Sequence, residues 1–216
     1  MIEVIPTIIA KDFQELQEKI KKIEPYSEWV QLDIMDGRFV ENTTWNNPEE
    51  LKNLKTNLNI ETHLMIQNPE EKIDDWIKSG AKRIIFHYEA TENREEVIKK
   101  IKEAGLEVGL AINPETPIDG LAPFIQNTRY KIQDTNLVLF LTVRPGRGGQ
   151  KFIEGVLPKI RDFRRASPDV KIEVDGGINP ETAKKAIEAG VDILISGSYI
   201  FGKGDIHQAI EELKNL

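Results

Sequence analysis

Residues 28–40 read EWVQLDIMDGRFV, and the order of polarity in them decides how the chain is read. Val30, Leu32, Ile34 and Val40 suit a buried β-segment, but Gln31 and Asp33 fall on the alternate face and Asp36 follows at the end of the run. In a closed parallel barrel the outward strand face packs on helices, and the inward face fills the barrel or lines its mouth. On that geometry Val30, Leu32 and Ile34 face helices, while Gln31 and Asp33 point inward near the top of the strand. ETHLM repeats the pattern with Glu61, His63 and Met65, and KIEVDGG with Glu173 and Asp175.

Short β-branched runs alternate with longer amphipathic stretches along the whole chain. The strand candidates are Val4–Ile9, Trp29–Ile34, Asn59–Met65, Arg83–His87, Glu107–Ala111, Asn136–Val143, Lys171–Val174 and Ile193–Ser196. Between them lie patterns such as DFQELQEKIKKI, PEEKIDDWIKSG, NREEVIKKIKEAG, GVLPKIRDFRRA, PETAKKAIEAG and IHQAIEELKNL, apolar every three or four positions. Eight strand–helix units with no linker predict one α/β domain over residues 1–216, a (β/α)8 TIM barrel. A doubly wound open sheet is the alternative fold.

Composition bounds the function. At 216 residues, 39% hydrophobic and 30% charged, the chain can bury a sizeable core. A net charge of -7 argues against a nucleic-acid partner and leaves any anionic substrate to be held by local donors. The absence of cysteine removes disulfides, thiolate nucleophiles and Cys-ligated metal. MIEVIPTIIAKDF lacks a signal-peptide pattern and no run approaches membrane-spanning length, so no membrane partner and a cytoplasmic location are expected.

Asn-Pro-Glu recurs at 47–49, 68–70, 113–115 and 179–181, each time after a strand candidate. Asn caps helices, Pro fits the first helical position and Glu suits the positive N-terminus, so all four are predicted helix starts. They place the preceding loops on the rim that carries catalysis in such barrels. There Asp33, His63 and Asp175 converge from three strands. Each alone is as readily a satisfied core polar group as a functional one; convergence favours function. Glycine loops follow strands six to eight: VRPGRGGQKF with Gly146, Gly148 and Gly149, expected to close over a ligand, VDGG with Gly176 and Gly177, and ISGS with Gly197 and Ser198. Together they point to phosphate held by backbone N–H groups.

PTIIAKDF, QLDIMDGRFV, HLMIQNPE, GLAINPETP, NLVLFLTVRPGRGGQKFI, IEVDGGI and GVDILISGSYIF, in this order, resemble the ribulose-phosphate 3-epimerase family over nearly the whole chain. The resemblance implies an isomerase of the pentose phosphate pathway that interconverts ribulose 5-phosphate and xylulose 5-phosphate. It implies Asp33 and Asp175 as the catalytic pair, a divalent metal (Zn, Fe, Mn or Co) on those carboxylates and His63, and assembly into a homo-oligomer. Thr7 keeps the hydroxyl of a substrate-contacting serine, and Met35, Met65 and Leu141 either wall the reacting carbons from water or simply fill the barrel. The family's second metal histidine falls at Gln31. Its side-chain carbonyl is an oxygen donor in place of imidazole, or three ligands hold the metal, or none is held. Arg147, with Arg144, adds charge near the phosphate region or is a solvated loop charge.

Rival readings remain. A hexulose-phosphate 3-epimerase, of the allulose 6-phosphate type, uses the same chemistry. An aldolase needs a lysine on a strand's catalytic end, and Lys11 has no evident partner. The orotidine-monophosphate-decarboxylase type needs Asp-x-Lys where this chain has Glu61-Thr62-His63. A non-catalytic sugar-phosphate binder would have little reason to retain both aspartates.

Overall fold

Eight parallel strands close on themselves in chain order: β1 (Glu3–Ile8), β2 (Trp29–Met35), β3 (Asn59–Met65), β4 (Arg83–His87), β5 (Glu107–Ile112), β6 (Leu137–Leu141), β7 (Lys171–Asp175) and β8 (Ile193–Ser196). The computed structural model describes residues 2–122 and 135–216. Pairing of β8 with β1, Val4 opposite Leu194, closes the ring and excludes the open doubly wound sheet. The fold is the (β/α)8 TIM barrel that the strand count predicts. Among the described residues no helix is long and apolar enough to cross a membrane.

The outward strand faces, among them Val30, Leu32 and Ile34, join one core with helices Phe13–Ile23, Arg94–Glu103, Leu157–Ala166, Pro180–Glu188 and Ile206–Lys214. These helices exist because apolar residues recur at helical spacing, as Leu16, Ile20 and Ile23 do. Their starts are capped: Asp12 accepts from Glu15 N at 2.8 Å, and Asp205 from Gln208 N at 3.0 Å. β6 ends earlier than expected: Thr142 N makes the last bond to β7, to Asp175 O at 2.8 Å, while the Thr142 carbonyl is taken by Ile153 N at 2.7 Å from the loop that follows.

Two of the four Asn-Pro-Glu tripeptides start α-helices. Asn47 caps the short helix Pro48–Leu51, and Asn179 forms a full capping box with Thr182. At Asn68 only a 3-10 turn, Pro69–Glu71, follows, and PEEKIDDWIKSG yields just that turn and the helix Ile73–Ile77. Asn68 is left-handed (φ 50°), its N–H fixed to Ala90 O at 3.0 Å, so its side chain does not cap. Asn113 begins a turn, closed by Thr116 N to Asn113 O at 3.1 Å. There Lys159 Nζ takes the carbonyls of Asn113, Pro114 and Thr116 at 2.9–3.0 Å, oxygens that a helix would have used along its own axis.

The barrel interior is layered. Ile5, Ile193 and Ile195 pack with Trp29, and Ile85, Ala111, Leu137, Leu139 and Leu141 form a second apolar group. Below the candidate site lies a buried charged layer. Arg83 pairs with Glu61 at 2.5 Å, Glu107 at 2.7 Å and Glu173 at 3.8 Å, and stacks on Trp29 at 4.4 Å. Burial first, and the Glu61 charge second, hold the Glu173 carboxyl well above its ordinary range. The interior under the mouth is thus filled with side chains, not hollow.

Candidate active site

Strand register assembles the polar residues. Asp33 lies opposite His63 across β2–β3, Thr7 opposite Gln31 across β1–β2, and Asp175 beside Leu141 and Ile195 on β7. All point inward, as the alternation predicts, and meet under a cavity of about 250 Å³ at the C-terminal rim. Thr7, Asp33, His63 and Asp175 line its floor, while Gln31 is fully buried beneath it. Met35, Met65 and Ile9 wall one side, backed by Val40 and Phe39, and Leu141 stands on another.

Gln31 answers for the amide in the opening stretch. Its Nε2 donates to Asp33 Oδ1 at 3.0 Å, Asp175 Oδ2 at 3.1 Å and Thr7 Oγ1 at 3.2 Å, and its Oε1 is buried without a partner. The amide therefore turns nitrogen, not oxygen, toward the carboxylates; service as an oxygen ligand would require it to turn over and strand its N–H groups. Asp36 proves structural. It accepts from Arg38 N, Phe39 N and Gln67 N at 2.8–2.9 Å, tying together the loops after β2 and β3.

The carboxylates share a tense environment. His63 Nδ1 lies 3.0 Å from Asp33 Oδ1 and 3.7 Å from Asp175 Oδ2. Burial, and next the charge of Asp33, push the Asp175 carboxyl up to about 7. Burial lowers His63, but the hydrogen bond and charge of Asp33, then the charge of Asp175, outweigh it and raise the imidazole above its ordinary value. Among the described residues, Asp33 Oδ2 and Asp175 Oδ1 accept no protein hydrogen bond and remain available to a ligand.

The glycine loops form the far wall. Gly146, Gly148 and Gly149 follow β6, Gly176 and Gly177 follow β7, and Gly197 and Ser198 follow β8, all lining the cavity. Gly177 (φ +66°) admits no side chain, since a Cβ there would lie 2.6 Å from Phe152 N. Gln150 holds the β6 loop by donating to Arg144 O at 2.6 Å and Arg147 O at 2.8 Å. Arg144 and Arg147 stand exposed at the mouth, Arg144 3.1 Å from Glu115. Sequence reasoning did not single out Lys19, whose Nζ reaches Ile9 O at 2.7 Å and Glu15 at 2.8 Å beside the cavity. It sits in a run of surface lysines and gives no local signal. His87 and Glu89, behind His63, were missed as well.

The profile of the ribulose-phosphate 3 epimerase family matches residues 3–201. The ribulose-phosphate 3-epimerase of Bacillus subtilis (strain 168) is 40% identical over 222 residues, covering 99% of each chain. The chain belongs to the ribulose-phosphate 3-epimerase family. Other members of the family are less similar: the Schizosaccharomyces pombe ribulose-phosphate 3-epimerase is 35% identical, with 99% of this chain and 92% of that protein covered. The chloroplastic ribulose-5-phosphate-3-epimerase of Arabidopsis thaliana is 39% identical, with 99% and 76% covered. The solved structure of 3-hexulose-6-phosphate synthase from Salmonella typhimurium superimposes with TM-score 0.72 at 14% identity, over 99% of this chain and 97% of that one. At that identity it shares the barrel with this epimerase-family chain and supports nothing finer.

Proposed function

We propose that the chain interconverts D-ribulose 5-phosphate and D-xylulose 5-phosphate, with Asp33 and Asp175 as the proton-transfer pair. The observation that carries the reading is that two buried carboxylates, from non-neighbouring strands, each present an unbonded oxygen to one cavity walled by glycine loops. A proton on the carbon next to a ketone must leave one face, and another must arrive on the opposite face of the planar enediolate. Two groups flanking that carbon do this where one cannot reach both sides. An ordinary aspartate is a weak base; an Asp175 held at about 7 is matched to exchange protons near neutral pH. Thr7 Oγ1 and Gln31 fix the orientation of the pair from below, and Met35, Met65 and Leu141 keep water from the reacting carbons. Backbone N–H groups around Gly177, Gly197 and Ser198 are the proposed phosphate donors.

The donor set also fits a divalent cation. Asp33, His63 and Asp175 bring ligand atoms within 4.8 Å of one another, two carboxylates and an imidazole being the mix that Zn, Fe, Mn and Co accept. Once bound, such an ion polarises the ketone and stabilises negative charge on the enediolate oxygens. In the proposed arrangement Gln31 restrains the carboxylates rather than ligating. Replacing it tests this: Gln31→His, which supplies a fourth ligand, is expected to tighten zinc binding about ten- to a hundredfold, the scale on which site partners act. Equilibrium dialysis reads the effect, and unchanged affinity would count against the site.

The reaction is tested by incubating the purified chain with D-ribulose 5-phosphate in deuterated water. Xylulose 5-phosphate carrying deuterium at the epimerised carbon is expected; product without label, or no product, refutes the reading. Arginines 144 and 147 at the mouth bear on substrate length, so hexulose 6-phosphates belong in the same assay, with slower turnover expected than for the pentulose.

A further inference from the structure

His63 faces the cavity with only one of its ring nitrogens. Nδ1 is turned to Asp33 and Asp175, whereas Nε2 points back to Nε2 of His87 on β4 at 2.9 Å. The two ring centroids are 5.0 Å apart with planes within 25° of parallel, so the short N···N contact makes the rings meet edge to edge. His87 in turn sets Nδ1 3.3 Å from Glu89 Oε2, and Phe39 leans on its ring at 4.7 Å. The other Glu89 oxygen accepts Asn113 N–H at 2.8 Å and the Thr116 hydroxyl. Both histidines are fully buried, and neither His87 nor Glu89 lines the substrate cavity.

Hydrogen-bond directions in this row are dictated from its outer end. A carboxylate only accepts, so His87 Nδ1 must carry the hydrogen. The other nitrogen of that neutral ring is then bare and accepts, which assigns the hydrogen between the rings to His63 Nε2. In the neutral ring His63 Nδ1 is left with its lone pair directed at two carboxylates, three acceptors within 4.8 Å of one another that a divalent cation among them reconciles, as a proton on Nδ1 does when no metal is bound.

We infer that Glu89 and His87 are positioning residues that lock His63 in the tautomer whose Nδ1 ligates a divalent cation together with Asp33 and Asp175. The inference rests on the metal-assisted reading above. A carboxylate behind a metal-bound histidine is a common device; here a second imidazole is inserted, moving the carboxylate one ring further out.

The test uses nitrogen-15 histidine spectra of the whole chain, which has three histidines. The third, His207, is exposed and stacked on Tyr26, well away from this row. Without metal, His87 is expected to be protonated on Nδ1 and bare on Nε2. With zinc, His63 is expected to keep Nε2–H and show a zinc-shifted Nδ1. Glu89→Gln keeps an oxygen for Asn113 and Thr116 but presents NH2 to His87 Nδ1, which reverses every donor in the row and places hydrogen on His63 Nδ1. Inverted tautomers and zinc affinity lower by about ten- to a hundredfold are expected, with Glu89→Asp, acceptor-only again, restoring the native tautomers. A Glu89 that merely supports the fold would weaken binding without inverting them.

His87 protonated on Nε2 in the wild type overturns the inference, as does Glu89→Gln binding zinc like the wild type, or zinc that binds without shifting His63 Nδ1 or does not bind. Should Glu89→Gln fail to fold, the wild-type spectra decide alone. Zinc and tautomers behaving as stated, with no turnover of ribulose 5-phosphate, would refute the proposed reaction and leave the inference standing.

Discussion

Asp33→Asn and Asp175→Asn are each expected to lower kcat on ribulose 5-phosphate by about a hundred- to ten-thousandfold, the range that positioned proton transfer supplies. Asparagine keeps the shape and can still meet Gln31 through its carbonyl oxygen, so circular dichroism and melting temperature should change little. The loss need not be uniform across the half-reactions. With one group gone, the remaining carboxylate still removes a proton from its own face of one epimer. One of the two variants is therefore expected to wash deuterium into recovered substrate faster than it forms product. The Asp33→Asn chain carries a second signature. The Asp33 charge is, after burial, the largest cause of the raised Asp175 carboxyl, so its removal should bring that group down from about 7 in a carbon-13 carboxyl titration of the metal-free protein. Wild-type turnover in either variant removes the pair from the reaction.

Arg83→Met is expected to destabilise the fold by about 3–5 kcal/mol, the cost of leaving buried charge without its partner. Arg83 is the cation shared by Glu61 and Glu173, both fully buried and both raised above their ordinary value, with burial the leading cause in each. Removing the cation raises them further. A carboxyl whose folded-state pKa lies above its unfolded one favours the fold while protonated, and that stabilisation is lost as pH rises through the folded value. The deficit of Arg83→Met should therefore be greatest at neutral pH and shrink as pH falls toward 4.5, the ordinary value for these side chains. Urea unfolding at several pH values measures it. A deficit independent of pH would mean that Arg83 acts through its stack on Trp29 instead. Neutralising the layer together, with Glu61→Gln and Glu173→Gln added, should recover part of the loss.

Which parts of this molecule a sequence discloses depends on how far apart the cooperating residues lie. Strand positions are legible because alternation is local: Gln31 and Asp33 against Val30, Leu32 and Ile34 already state which face is inside. Convergence of Asp33, His63 and Asp175 follows once the barrel closes, because the inward face of a strand has nowhere else to point. Other features need register, which no local pattern states. Arg83 at the start of KRIIF looks like a solvated strand-end charge until β3 and β5 set Glu61 and Glu107 beside it. His87 looks like a strand terminus until β3 brings His63 within 2.9 Å. The capping tripeptides mislead for the converse reason. Their preference is local, and at Asn68 and Asn113 bonds to Ala90 O and Lys159 Nζ, from distant parts of the chain, claim the backbone first. Gln31 was legible as a departure but not as a donor, since which end of an amide faces a carboxylate depends on its neighbours.

The charged layer under the carboxylates has one more effect. With Arg83, Glu61 and Glu173 stoppering the lower end, the cavity is, among the described residues, a well that opens at the C-terminal rim. Whatever enters must leave by the same opening, and the second sugar waits until the first has gone. Inhibition by the epimerised sugar should accordingly be purely competitive.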